Sequence, residues 1–277
     1  MISVLWVLLL LSSLAAVASY TARTNALLTH RALEIAQARA AADAAIVNTL
    51  SELSDEQIAR HPMLGSSQPW VFDGVNVAVF VSNEAGRIDV NRADRDLLFA
   101  FLRSQGVDDG TAEIMMSQLR ESNAIPFKQG NGLTYAHPDA PLQTVEELRR
   151  LPAWRAQNLD CWFNSLTVYT GLPGISPADA TARGLQALQW AQAHRLGDRD
   201  WIAGSATASG ALADRSILGE VLRLEATSTV SADVRATSIW VGRLTGDRKN
   251  PMLTMRWAHS DSGGRSSCND EVLSTAP

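Results

Sequence analysis

A chain of 277 residues with 24 basic and 29 acidic side chains, 19% charged in all, carries a formal net charge of −5. That length holds one large or two small domains, and the acidic balance argues against a duplex-DNA binder, which needs a basic surplus. Cysteine is scarce: Cys161 and Cys268 are the only two, which leaves open both one pair in an exported body and two free thiols.

The opening "MISVLWVLLLLSSLAAVASY" carries no charge before Arg23. About 20 such residues in a helix rise about 30 Å, the thickness of a bilayer's hydrocarbon core. Ala16-Val17-Ala18 offers a signal-peptidase pattern, but no Lys or Arg precedes the apolar run and no break follows it. The next stretch, to Leu53, contains neither Gly nor Pro. Leu28, Ala32, Ile35, Ala38, Ala42, Ile46, Leu50 and Leu53 recur at steps of three and four, one face of a helix. The spacing predicts a single helix of about 50 residues, about 80 Å long. Residues 1–22 would be its transmembrane half and 23–60 its half in water, with one packed side. Arg39 interrupts the stripe. Either Asp43, one turn on, partly neutralises it or its stem snorkels past the alanines. Arg23 and Arg31 follow the span, which by charge alone would put that side in the cytoplasm.

Ser54 and Gln57 suggest a capping-box turn ending at His61-Pro62, and "GSSQPWVFDG" reads as a loop. In "VNVAVFVSNEAGRIDV", Val75, Val77, Val79 and Val81 alternate as in a half-buried strand. Asn83 to Gly86 would turn it into a partner through Ile88 and Val90. Residues 91–200 then read as helical. One helix is capped by Asn91 and stopped by Gly106, and "DDGTAEIMMSQLRES" gives another. After a loop from Ala124 to Leu142 comes one capped by Thr144, with Glu147 reciprocating, that stops at Pro152. The last has Ser176 as cap, Pro177 at its first position and Gly197 beyond its end. Trp201 to Leu212 looks like a linker. "LRLEATSTV", "VRATSIWVGRLT" and "MLTMRWAH" return to period two, and the Ser/Gly-rich tail 261–277 reads as disordered. Two strands alone bury too little to stand, so residues 70–90 and 215–260 should share one sheet. The fold class is then α+β: a pilin-like long N-terminal helix plus an antiparallel sheet, with an all-helical domain inserted between strands.

Motifs that carry chemistry are missing. The five histidines form no metal-ligand pair at helical spacing, and no C-x-x-C, G-x-S-x-G or P-loop occurs. "GNGLTY" lacks a third glycine. An enzyme is not expected, and no cofactor is required. Asp89, Asp94, Asp96, Asp108, Asp109 and Asp139 leave calcium open as a ligand, although no EF-hand spacing is present. "IDVNRADRDLL" and "LQTVEELRRLPAW" each resemble the first half of a helix-hairpin-helix DNA-binding unit. Leu151-Pro152-Ala153-Trp154, however, stands where such a unit needs glycines to approach phosphate, and Glu146 and Glu147 offset Arg149 and Arg150. A membrane-tethered DNA-binding protein of the competence type is the alternative; nucleic acid is not expected as a partner.

Taken in order, the apolar start, the alanine-rich stalk, "SNEAGRIDVNRAD", "LQTVEELRRLPAW", "LTVYTG" and "MLTMRWAHSD" resemble the minor pseudopilin K family of type II secretion systems. The resemblance implies a subunit anchored in the inner membrane, with its body in the periplasm and no enzymatic activity. It implies a place at the tip of the pseudopilus, in complex with minor pseudopilins I and J on an inner-membrane platform. Counted from Met1, position five is Leu5, where most pilin-type subunits carry Glu; K members lack that carboxylate, so Leu5 fits. The family's short basic leader is not seen ahead of Met1. Leu28, Ile35, Ala42 and Ile46 are expected to pack on the helices of partner subunits.

Overall fold

The computed structural model describes residues 2–54, 64–124, 127–128, 134–135, 141–196, 219–231, 233–247 and 249–260. Helix α1 runs without a break over Ile2–Leu53. It is long and apolar enough to cross a membrane, with a mean hydropathy of 2.3 over a window that has nothing packed on it. Farther along, one side turns inward: Ala38, Ala41, Ala42, Ala45, Ile46, Thr49, Leu50 and Leu53 are buried. Ser54 closes the helix by donating its hydroxyl to the Leu50 carbonyl at 2.7 Å. Gln57 and His61-Pro62 lie outside the described residues.

Strands β1 (Ser67–Phe72) and β2 (Val75–Asn83) form a hairpin. Asp73 (φ 47°) and Gly74 (φ 77°) both take the left-handed conformation, which matches the twist of the flanking strands. The stretch read as a loop therefore contains a strand. After Asn83 the chain does not double back through Ile88 and Val90. Instead β3 (Ile88–Asp89) leaves the sheet, followed by α2 (Arg95–Ser104), α3 (Asp109–Ala124), β4 (Phe127–Lys128) and β5 (Thr134–Tyr135). A 3-10 segment (Val145–Arg150), α4 (Pro152–Arg155), α5 (Leu159–Trp162), β6 (Leu166–Thr167) and α6 (Ala182–His194) complete the insertion. β3 pairs in parallel with β6 rather than with β2.

Two helix starts fall elsewhere than the sequence suggests, and a third differs in kind. Asp94, not Asn91, caps α2, accepting from the Asp96 N–H at 2.8 Å. Asn91 instead clasps both backbone groups of Leu142, at 2.9 and 3.0 Å. Thr144 makes no capping bond, and the turn after it is 3-10. Thr181 caps α6, while Ser176 donates to Asp179. Arg195 closes α6 in the left-handed conformation; Gly197 lies outside the described residues.

The chain returns as β7 (Val221–Ser231), β8 (Val234–Leu244) and β9 (Met252–Ser260), and the five-stranded sheet has the order β1-β2-β7-β8-β9. All its pairings are antiparallel. β7 lies beside β2, so the helical insertion begins and ends at neighbouring strands. The sheet's inner face, including Val77, Val79, Val81, Leu222, Leu224 and Trp240, packs on Ala41, Ala42, Ala45, Ile46, Leu50 and Leu53 of α1. Ser228 donates to the Ala38 carbonyl at 2.7 Å, an approach that the alanine face of the helix permits. Gly242 is needed where β8 meets β9, since a Cβ there would come within 2.4 Å of the Leu253 carbonyl and the Trp240 ring.

The insertion has its own core, built around Phe101, Trp154 and Trp162, with edge-to-face ring contacts at 5.8 and 6.4 Å. Charged groups join it to the sheet. Fully buried Glu84 accepts from Arg223 Nε at 2.9 Å and pairs with its Nη2 at 2.8 Å; Arg87 donates to the Asn164 carbonyl at 2.9 Å. Burial works against the Arg223 charge, but Glu84 and Glu225 outweigh it and push its pKa up. Burial pulls Arg87 down, with Glu84 offsetting in part. Arg256 of β9 grips Glu146 with two bonds, at 2.6 and 3.0 Å. Residues 201–212 and 261–277, read as linker and tail, lie outside the described residues.

Candidate assembly surface

Among the described residues, helix α1 is the one element that extends beyond both cores. Within its apolar half, Ser12, Ser13 and Thr21 donate their hydroxyls to carbonyls one turn back, at 2.8–3.0 Å. These polar groups are thereby satisfied without water, as a helix in lipid requires.

Beyond Ala38 the helix has two unlike faces. One is taken by the chain's own sheet. Opposite it, Ala22, Ala26, Leu33, Ala36, Ala40 and Val47 recur at helical spacing on the outward side. Leu33 is 64% exposed and Val47 56%, large apolar side chains with no neighbour among the described residues to cover them. Projected along the helix, this outward strip carries no charge from Val4 to Ser51, about 70 Å. Arg23, Arg31, Glu34, Arg39, Asp43 and Glu52 all fall on other sides of the cylinder.

The structure divides the residues proposed for assembly. Leu5 and Leu28 are exposed, at 66% and 63%, and free to meet a partner. Ile35 is half-buried against Ala38, Val234 and Ala236. Ala42 and Ile46 are wholly buried under the sheet. The expectation that Ala42 and Ile46 contact another subunit is therefore corrected: one periodic apolar stripe was legible, and it belongs to the intramolecular core. The outward strip was missed because alanine dominates both sides of this helix. Its signal lay in Leu33 and Val47, which stand about 110–150° around the helix from the periodic stripe.

Other side chains singled out in the sequence have structural partners. Asp43 accepts from Trp257 Nε1 and His259 Nε2, both at 3.0 Å, and so pins the edge strand β9 to α1. Ser238 sits opposite His259 in the β8–β9 register, which gathers Ser, His and Asp. Its hydroxyl is fully buried and makes no hydrogen bond, so no substrate can reach it. Asp89 accepts from Asn91, Thr170 and Gly171, and Asp108 from Thr111. Asp109 pairs with Arg103 at 2.6 Å. Among the described residues no three metal-binding side chains come together; Asp139 lies outside them. In the helix-hairpin-helix-like stretch, Arg149 pairs with Asp160 and Glu146 docks on the sheet. Cys161, buried in the insertion core, is disulfide-bonded; the chain's other cysteine, Cys268, lies outside the described residues.

A long N-terminal helix whose second half carries an antiparallel sheet defines a pilin-like α+β fold. No family model matches the chain, and no curated protein does. Among solved structures, it is similar to a chain of the GspK-GspI-GspJ complex from the enterotoxigenic Escherichia coli type 2 secretion system. The identity is 12%, over 87% of this chain and 100% of that one, at a TM-score of 0.47.

Proposed function

We propose that the protein is a minor pseudopilin of the type II secretion system, a single-pass inner-membrane subunit whose body lies in the periplasm. It initiates or caps the tip of the pseudopilus, the rod that serves export of folded proteins across the outer membrane. Its partners in this role are minor pseudopilins I and J, the pseudopilus and the inner-membrane platform. The outward strip of α1 carries the proposal: a charge-free face continuous with an apolar span is what a helix needs to lie first in lipid and then against sister helices.

Two further features support it. The insertion joins the sheet near Arg223, whose strand end is remote from Ala38 and hence from the membrane half of α1. A bulky head at that end blocks the stacking of another subunit above it. The disulfide at Cys161 suits an oxidising compartment such as the periplasm.

The test is disulfide crosslinking in membranes from cells that express the whole system. Cysteines at Leu33 and Val47 are expected to crosslink to the I and J subunits, and cysteines at Ala42 and Ile46 are not. The paired change Leu33→Glu and Val47→Glu should abolish secretion while leaving the melting temperature of the body unchanged. Secretion that survives both charges defeats the proposal.

A further inference from the structure

Cys161 sits in α5, part of the insertion core, 7% exposed and disulfide-bonded. No cysteine of the chain is free, and the sequence holds one other, Cys268. A disulfide brings its two Cα atoms to within about 4–7 Å of each other. A buried sulfur favours a partner from its own chain, which folds around it, over one on a second molecule. Cys161 lies on the side of the insertion that faces the sheet's edge strand β9. Its neighbour Asp160 pairs with Arg149. One 3-10 turn separates Arg149 from Glu146, which Arg256 of β9 grips. β9 ends at Ser260; Cys268 is eight residues beyond it, an extended reach of about 28 Å at most.

We infer that Cys161 is bonded to Cys268, and that the bond makes residues 261–268 a strap that clamps the insertion to the sheet. The need for a strap follows from the topology. The chain enters the insertion after Asn83 and leaves it before Leu222, and these two residues are partners in the β2–β7 register. Two crossings side by side at one end of a sheet make a hinge. The ties that resist its motion, Glu84–Arg223 and Glu146–Arg256, are ion pairs, and the second is partly open to solvent. The strap starts instead from Ser260, which lies beside Thr237, well away from the crossings. A covalent tie there stops rotation about the hinge, whatever the salt or pH. The bond closes a loop of more than a hundred residues, and a longer loop lets a cross-link restrict the unfolded chain more. It forms by thiol–disulfide exchange: the two thiols give up two protons and two electrons to a disulfide of another protein, which leaves as a dithiol. The clamp therefore closes once the body is in an oxidising compartment, the one point at which the inference rests on the periplasmic reading.

The experiment takes the full chain from membranes of cells that express it, alkylated at lysis, and maps its tryptic peptides by mass spectrometry without reduction. Peptides 156–183 and 266–277 should be joined, with neither cysteine alkylated. A Cys161 joined to a second chain overturns the inference. If both thiols are found alkylated, fresh unalkylated chain is exposed to oxidised glutathione. Pairing then defeats the periplasmic reading and spares the bond, whereas thiols that stay unpaired defeat the bond. The clamp is read by hydrogen exchange on the oxidised chain and on Cys268→Ser, which leaves the Cys161 side chain in its core. Exchange in the 3-10 segment, α5 and β9 should rise at least about tenfold in the variant, a small part of what a cross-link over so long a loop can contribute. β2 and β7 should keep their protection. Exchange that is unchanged throughout, or raised equally in β2 and β7, overturns the clamp.

Discussion

The body and the insertion solve the packing problem in opposite ways. In the body, half of what α1 packs on the sheet is alanine, and the sheet answers with valine and leucine; among the described residues Trp240 is the one large ring wholly inside. The insertion is built around large rings, with Trp154 and Phe101 fully buried and Trp162 nearly so. A small-residue face lets a straight helix lie close to a sheet and leaves its far side free for other contacts. A ring-filled core is self-contained, because each ring touches several short helices at once. The two cores have no buried residue in common and meet through ion pairs. The body is thus shaped around a helix with obligations to lipid and partners, whereas the insertion answers only to itself.

If the cores are separate, damage to one should spare the other. Trp154→Ala removes a fully buried ring whose Nε1 donates to the Met115 carbonyl at 2.8 Å. It should cost the insertion about 4–5 kcal/mol. Hydrogen exchange should then show lost protection in α2, α3 and α6 and intact protection in β7 and β8; uniform loss would contradict the comparison. Next in size is the seam. Glu84→Gln leaves Arg223 and Arg87 buried without their carboxylate, at about 3 kcal/mol, and should split a single urea transition into two. Smaller again is the contrast between the helix faces. Ala42→Leu overpacks the sheet side and should cost about 1–3 kcal/mol, while Ala40→Leu on the open side should stay within about 0.5 kcal/mol. Thermal melts of the two variants make that comparison.

The sequence carried much of this architecture and little of the assembly surface. The long helix was legible because nothing in Ile2–Leu53 breaks it, and the late strands because their period is two. β1 was hidden by Pro69, although Asp73-Gly74 between alternating residues is a hairpin signal in its own right. Helix starts slipped because Asn91 and Ser176 have the right chemistry for caps but serve other bonds, to Leu142 and Asp179, that only the folded chain brings near. The same holds for the assembly residues. Periodicity says that a face is buried but not against what, so Ala42 and Ile46 were given to a partner when the sheet, formed by strands well downstream, had taken them. Leu5 and Leu28 are exposed, so the fold leaves their expected contacts with a partner open.

The smallest expected effect is the pH dependence of the second tie across the seam. Burial at the seam tends to raise the Glu146 pKa, but the hydrogen bonds from Arg256 and their opposite charges prevail and hold it below the ordinary carboxylate range. A depressed folded-state pKa means that the ionised form is favoured by folding. Its contribution is complete above the unfolded value, about 4.3, and is lost as pH falls through the lower folded value. Glu146 is 43% exposed at its side chain, so solvent screens the pair and the contribution should not exceed about 1 kcal/mol. Glu146→Gln should therefore melt slightly below wild type at pH 7, with the difference closing as pH falls below about 4. The buried Glu84 pair serves as the internal control, because its variant should remain destabilised at pH 7 by a much larger margin. A Glu146→Gln deficit that persists unchanged down to pH 3 would mean that shape, rather than charge, holds this corner of the insertion to the sheet.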